Sequence, residues 1–375
     1  MLIAASYLYC RFLRKRAHSV WRTLLILVPP ALLLVALVLL ICTESYSPTH
    51  LWLTGLYMTL YLLVIVPELL LTLFLGIGQL GRRFSRRWDQ AWSGIGIIVS
   101  LLVFGIIFYA STYGWRKFQV KEVTYASADL PAAFDGYRMV QISDLHIGTI
   151  APYKQVVQQM VDKINAQHAD VILFTGDLVN HRAEELDGVQ EILSELTAPD
   201  GVYSVMGNHD YSLYLHWPSE EAREENIRDL RQRQADMGWH QLVNDHVLLQ
   251  RDSTAIVLAG VENDGIPPFP ELGDLPRALQ GTDGRFKVLL SHDPTHWRRK
   301  VLPTTDVQLT LSGHTHAMQF MLGDFTPSAW FYPENHGMYT EGDRALYVNI
   351  GVGQVMLPFR FGAWPEITVI TLRKK

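Results

Sequence analysis

Apolar positions run without interruption through most of the first 117 residues and recur beyond them only in short bursts. Thr23–Cys42 is 20 residues without a charge, Leu51–Leu80 is apolar apart from Glu68, and Ala91–Trp115 is again uncharged. Each exceeds the roughly 18 apolar residues that mark a spanning helix, so three transmembrane helices are predicted over 23–42, 51–80 and 91–115. Three long spans do not fit a single cleaved signal peptide. Pro29-Pro30 reads as a kink, and Glu68, beside Pro67, as a group that caps a kink or faces water between helices. Met1–Cys10 is apolar but too short to span alone. It reads as an interfacial entry or as the stub of a further helix.

From about Phe118 the pattern changes. Arg138–Ile142, Val171–Phe174, Val202–Val205, Ala255–Ala259, Lys287–Leu290, Gln308–Leu311, Ala345–Asn349 and Glu366–Leu372 are strand candidates, and several are continuously apolar, as strands covered on both faces are. Pro152–His168 places Val156, Val157, Met160, Val161 and Ile164 on one helical stripe, and Glu184–Leu196 and Pro218–Met237 read as two more helices. Strands alternating with helices predict stacked α/β layers over 118–375, preceded by an all-α transmembrane region over 1–117.

Charge separates the same two regions. Residues 1–117 carry 11 Lys and Arg against 3 Asp and Glu, a net +8, while the remainder carries 21 against 34, a net −13. An acidic domain makes nucleic acid an unsuitable partner, and no obligate protein partner is evident. Arg11, Arg14, Lys15, Arg16 and Arg22 precede the first span, and Arg82, Arg83, Arg86 and Arg87 separate the second from the third. The positive-inside rule puts both segments in the cytoplasm and sends everything after Trp115 outward, although Arg116, Lys117 and Lys121 weigh slightly against it. The expected location is a multi-pass cytoplasmic (inner) membrane protein with its acidic domain on the periplasmic side. Cys10 and Cys42 are the only cysteines, so the acidic domain has neither a disulfide framework nor a Cys-based zinc site.

Five of the strand candidates end in polar clusters. They are Ser143-Asp144-Leu145-His146, Thr175-Gly176-Asp177-Leu178-Val179-Asn180, Met206-Gly207-Asn208-His209-Asp210, Ser291-His292-Asp293-Pro294 and Gly313-His314-Thr315-His316. Sites in α/β sheets assemble at the carboxyl ends of strands, and Gly176, Gly207 and Gly313 allow sharp turns there. Carboxylate, imidazole and amide donors without thiolate suit Mn, Fe, Zn or Co. A pair of such ions needs roughly seven protein ligands with one shared, and Asp144, His146, Asp177, Asn208, His292, His314 and His316 make seven.

The order D-x-H, G-D-x-x-N, G-N-H-D, S-H and G-H-T-H resembles the calcineurin-like metallophosphoesterase superfamily from about Val120 to the C-terminus. The tail Gly351–Leu372 resembles the branch tethered to bacterial membranes by N-terminal helices. The resemblance implies a four-layer αββα sandwich with two divalent metal ions, Mn foremost and Fe, Zn or Co as alternatives. Carried over by position, Asp144, His146 and His316 would hold the first ion and Asn208, His292 and His314 the second. Asp177 would bridge them opposite a bridging hydroxide. His209 would be the general acid, oriented by Asp210. Where the branch commonly has two glycines after the final histidine, this chain has Ala317-Met318, although Gln319 remains.

Other residues receive blander readings. His168, His181, His216, His240, His246, His296 and His336 read as surface or supporting groups, with His181 alone placed to line the cleft. Arg298, Arg299 and Lys300 read as a solvated cluster. Ala329–Tyr332 and Pro358–Trp364 are aromatic loops suited to core packing or to a wall that accepts lipid. The expected activity is hydrolysis of a phosphoester or pyrophosphate in a lipid-linked substrate, with the lipid bilayer as the chain's surroundings. The alternatives are UDP-2,3-diacylglucosamine pyrophosphate hydrolysis in lipid A synthesis, a cytoplasmic reaction, and a metal-binding membrane sensor without turnover.

Overall fold

Among the described residues, apolar composition produces three long helices ahead of the sheets: α1 (Val20–Cys42), α2 (Leu51–Gly81) and α3 (Arg86–Thr112). The structure, a computed structural model, describes residues 4, 7–8, 20–42, 51–355 and 357–375. Arg11, Arg14, Lys15 and Arg16, most of Met1–Cys10 and the loop 43–50 lie outside the described residues. Leu53–Gly81 and Arg86–Arg116 are long and apolar enough to cross a membrane, whereas α1 contributes a shorter apolar stretch, Leu27–Cys42. Helices α2 and α3 approach closely at Gly96, where an added Cβ would lie 2.7 Å from the Phe74 Cβ. Small residues permit such contacts between apolar helices. Ile98, Leu101 and Leu102 stay exposed on α3, the reverse of a soluble helix, which turns its apolar stripe inward.

The described residues form two compact units, one reaching Gly114 and including 357–359, the other Trp115–Val355 with Arg360–Lys375. The second unit holds twelve strands: β1 (Gln119–Ser127), β2 (Arg138–Ile142), β3 (Val171–Phe174), β4 (Val202–Ser204), β5 (Trp239–Gln241), β6 (Asp245–Arg251), β7 (Thr254–Gly260), β8 (Lys287–Leu290), β9 (Leu309–Ser312), β10 (Gly337–Glu341), β11 (Arg344–Val348) and β12 (Glu366–Lys374). They make two six-stranded sheets, ordered β1-β12-β2-β3-β4-β5 and β10-β11-β9-β8-β7-β6. Strands β2 to β5 are mutually parallel, as are β7, β8, β9 and β11.

Side-chain alternation explains why these strands read as continuously apolar. Val140, Ile142, Ile172 and Phe174 face helices α4 (Lys154–Asn165) and α5 (Glu220–Asp236) in one cluster with Val157, Met160 and Leu230. Their neighbours Met139, Val171 and Leu173 face the other sheet, meeting Ile256, Leu258, Val288 and Leu290. Val257, Ala259 and Leu289 point to the far side, under Leu275, Trp297 and Val301. A strand covered on both faces has no polar side to show. The layers are thus helix, sheet, sheet and a final cover of short helical turns.

One predicted helix is broken. Over 184–196, Gly188 adopts φ 75° and divides the segment into a 3₁₀ turn, Ala183–Leu186, and a single α turn, Gln190–Leu193. A left-handed residue cannot continue the i to i−4 ladder.

Candidate metal centre

The carboxyl ends of β2, β3 and β4 in one sheet and of β8 and β9 in the other meet at one edge of the sandwich. Main-chain bonds tie the strand-end loops together. Asp144 N–H donates to the Gly176 carbonyl at 2.9 Å, His146 N–H to that of Asp177 at 3.1 Å, and Gly313 N–H to that of His292 at 2.9 Å. Across the sheets, His314 N–H donates to the Asp144 carboxylate at 3.0 Å. The glycines permit this closeness. A Cβ on Gly207 would sit 2.2 Å from Asp177 Oδ1, and one on Gly313 would sit 1.9 Å from Ser143 Oγ.

The loops are bent hard. Asp144, His146, Asp177, His314 and His316 all have positive φ, between 43° and 73°. Non-glycine residues in this region cost on the order of 1–3 kcal/mol each and persist where surrounding structure enforces them, commonly at functional sites. Ala317 and Met318 follow at 48° and 47°. These are the two positions where glycine was expected, and the backbone keeps the conformation that glycine favours.

The seven predicted ligands converge. In one half, His316 Nε2 lies 3.1 Å from Asp144 Oδ1 and 3.1 Å from His146 Nε2. In the other, Asn208 Oδ1 lies 2.8 Å from His314 Nδ1 and 3.2 Å from His292 Nε2. Asp177 Oδ2 stands between them, 3.6 Å from His146 Nε2 and 3.2 Å from His292 Nε2. Three groups bring donor atoms within 4.8 Å of one another: Asp144, His146 and His316; His146, Asp177 and His209; Asp177, His292 and His314. Buried imidazoles and carboxylates aimed at common points, with no thiolate among them, fit divalent cations.

Supporting groups turn each donor toward the cluster. The Thr175 carbonyl takes His292 Nδ1 at 2.7 Å, leaving Nε2 to face Asp177. The Tyr332 hydroxyl lies 2.8 Å from His314 Nε2, leaving Nδ1 to face Asn208. Asn208 Nδ2 donates to the Tyr214 hydroxyl at 2.8 Å, which identifies Oδ1 as the inward atom. Such outer contacts fix tautomer and ring orientation at metal sites.

Around Asp177 the electrostatics favour positive charge. Burial opposes ionisation of Asp177, yet His292 and His209 hold its carboxyl well below the usual range. Burial likewise disfavours a charged His292, but the Asp177 carboxylate raises it to about 10. His146 is pushed well down, by burial first and by His209 next.

Of the two predicted catalytic residues, His209 lies at the cluster while Asp210 turns to the backbone. The His209 ring is held through Nδ1 by the Asn180 carbonyl at 2.8 Å, and its backbone N–H donates to Asp177 Oδ1 at 2.9 Å. Asp210 serves the backbone instead. Its carboxylate accepts N–H bonds from Asp177, Leu178, Val179 and Gly207, at 2.9 to 3.1 Å. Asn180 therefore takes the orienting part given to Asp210, for the carboxylate is already saturated by four donors. Asn180 is itself fixed by Glu185, which accepts from its backbone N–H at 2.7 Å and its side-chain amide at 3.0 Å.

His181 does lie beside the centre, its ring 5.8 Å from His209 and 6.3 Å from Tyr214. Burial, then His209, pushes it down to about 4. Arg298, Arg299 and Lys300 are ion-paired rather than simply solvated. Arg298 meets Glu334 and Glu341, while Arg299 and Lys300 meet the fully buried Asp264 at 2.5 and 2.7 Å. The aromatic loops divide as well. Phe361 stacks on Phe320 at 5.9 Å and Trp364 lies under Lys117 at 4.5 Å, whereas Trp330 and Phe331 remain 73% and 66% exposed.

Comparison with known proteins points to one family. A family model for calcineurin-like phosphoesterases matches residues 137–318. The chain is 32% identical over 293 residues to the uncharacterized metallophosphoesterase YkuE of Bacillus subtilis (strain 168), a match covering 72% of this chain and 93% of YkuE. It is 30% identical over 301 residues to a transmembrane protein with metallophosphoesterase domain from Danio rerio, covering 77% of this chain and 64% of that protein. An uncharacterized metallophosphoesterase of Aquifex aeolicus (strain VF5) is 25% identical over 279 residues, covering 73% of this chain and 98% of that one.

Proposed function

This chain belongs to the calcineurin-like metallophosphoesterase family, and from that premise we propose that it hydrolyses a phosphoester or pyrophosphate bond of a lipid-linked substrate while anchored in a membrane. The chain is a metal-dependent phosphoester hydrolase; the substrate, the anchoring and the roles at the centre are our reading. The observation that carries it is the convergence of donors from five strands in one buried cluster. Asp144, His146 and His316 would hold one cation and Asn208, His292 and His314 the other, with Asp177 shared. Mn is the ion we assign, and Fe, Zn or Co suit the same donors. Bound there, a pair of divalent cations supplies polarisation of a phosphoryl oxygen and a bound water of lowered pKa.

The chain's own part is protonation and alignment. With Nδ1 held by the Asn180 carbonyl, His209 keeps Nε2 to carry a proton to the leaving oxygen. Its backbone bond to Asp177 ties the acid to the shared ligand. Tyr214 packs on the His209 ring at 4.6 Å and limits its movement.

Three observations support a lipid-linked substrate and membrane anchoring. The chain has two helices long and apolar enough to cross a bilayer, and a relative is named as a transmembrane protein. Met318, Leu322, Phe325, Trp330 and Phe331 are all exposed within the segment that follows His316, giving acyl chains an apolar approach. By the positive-inside rule, the basic loop Arg82–Arg87 favours a catalytic unit on the extracytoplasmic side of an inner membrane.

Full-length protein loaded with Mn²⁺ should be assayed on phosphate monoesters, diesters and pyrophosphates, each with and without acyl chains. The acylated form should turn over faster than its soluble counterpart. Equal rates remove the lipid from the reading, and no turnover by metal-loaded protein leaves a binding domain. A reporter active only outside the cytoplasm should work when fused after Lys375 and be silent within 81–90. The reverse pattern moves the site to the cytoplasm and favours UDP-2,3-diacylglucosamine.

A further inference from the structure

Arg360, in the aromatic loop Pro358–Trp364, is completely buried. A guanidinium has five N–H donors and no acceptor, so burying it demands several acceptors around it. Nε donates to the Gly353 carbonyl at 2.8 Å, Nη1 to Ala363 at 2.9 Å and Nη2 to Ile350 at 2.9 Å. Nη2 also faces His316 Nδ1 at 3.3 Å. The partners are three backbone carbonyls and a metal-ligand ring, a selection that points to a role beyond charge pairing.

Those carbonyls belong to turns packed behind one half of the centre. Between Ile350 and Gly353 the chain lies directly on the Asp144 loop. Val352 N–H donates to the Ser143 carbonyl and Gly353 N–H to that of Asp144, both at 2.9 Å. A Cβ on Gly351 would lie 2.7 Å from the Asp144 Cβ, and one on Gly353 would lie 1.8 Å from the Leu145 carbonyl oxygen. Asp144 and His146 follow a strand of one sheet and His316 follows a strand of the other. One guanidinium therefore grips the turn that supports Asp144 with two donors and lies against the His316 ring, so a single side chain backs ligands that follow strands of both sheets. The opposite half is held by neutral groups, the Thr175 carbonyl and the Tyr332 hydroxyl.

We propose that Arg360 is a positioning residue for the half-site of Asp144, His146 and His316, setting that half-site's affinity for its cation without touching substrate. The proposal rests on the dinuclear reading above. Outer-shell groups of this kind are worth about 10–100-fold in metal affinity.

The test is a calorimetric Mn²⁺ titration of metal-free full-length protein for the wild type, Arg360→Lys and Arg360→Met, with circular dichroism of each metal-free form. The wild type should bind two ions; if it binds fewer, the dinuclear reading itself fails. Arg360→Lys keeps the charge and most of the volume but has one nitrogen for three carbonyl acceptors. It should fold, weaken one site by about 10–100-fold and leave the other within threefold of wild type. Arg360→Met should weaken the same site at least as much. Two wild-type affinities in Arg360→Lys overturn the proposal, as does equal weakening of both sites. Loss of the fold in both metal-free variants also overturns it, since Arg360 would then serve the core and not the centre.

Discussion

The half-site of Asp144, His146 and His316 is sealed, with Asp144 and His146 fully buried and His316 5% exposed. The half-site of Asn208, His292 and His314 opens to the surface through Tyr332 and through Tyr214, which is 43% exposed. The donor types are similar, but the supports differ. Behind the sealed half stands a buried guanidinium that holds the Ile350–Gly353 turn and lies against the His316 ring. Beside the open half stand phenols that both orient ligands and reach solvent. On the two-ion reading proposed above, the first half would be shaped by the interior of the fold and the second would border the cleft. Asp177 belongs to both, and its removal should erase the contrast.

Asp177→Asn is accordingly expected to have the largest effect. An amide cannot supply the shared negative charge that faces His146 and His292. Turnover should fall by about 10³-fold or more, since metal activation is worth several kcal/mol, and metal content should fall in both half-sites together. Elemental analysis with an activity assay checks this; two retained ions with normal turnover would remove Asp177 from the shared position.

His209→Ala should leave both half-sites loaded and act on the reaction alone. On substrates with poor leaving groups the loss should be about 10²–10⁴-fold, the usual worth of a general acid. An activated aryl ester, whose leaving group needs no proton, should lose much less. Equal losses on the two substrates would take the acid role from His209.

These residues were legible because each terminates a strand. Burial on both faces keeps β2, β3, β4, β8 and β9 largely apolar, with Gln141, Lys287 and Thr310 among the few polar side chains inside them, so the Asp, Asn and His residues that follow stand out. The four strands that the apolar pattern does not reveal are β1, β5, β6 and β10, the edge strands of the two sheets. β1, β6 and β10 are largely exposed or half-buried, and β5 is three residues long. Edge positions carry mixed and polar sequences for physical reasons, so their periodicity is weak. The supports were illegible for another reason. Arg360 reaches His316 from 44 residues away, Asn180 reaches His209 from 29 and Tyr332 reaches His314 from 18. No local spacing announces such pairs. Asn180 stood within its motif, but nothing in the motif said that its carbonyl would hold a ring.

Tyr332→Phe should give the smallest effect and sharpen the comparison from the open side. It removes the hydroxyl beside His314 Nε2 and little else. Affinity should drop about 10–100-fold in the half-site of Asn208, His292 and His314, with the sealed half within threefold of wild type. Stepwise Mn²⁺ isotherms report this directly, and weakening of the sealed half instead would invert the assignment of supports.

The central claim is that seven side chains from five strand ends form one two-ion hydrolytic centre. Its most direct test is Mn²⁺ stoichiometry at saturation on the full-length chain, measured on the same samples as phosphoester hydrolysis. Two ions should bind per chain, with activity appearing only as the second ion binds. One ion or none at saturation, with hydrolysis undiminished, would contradict it.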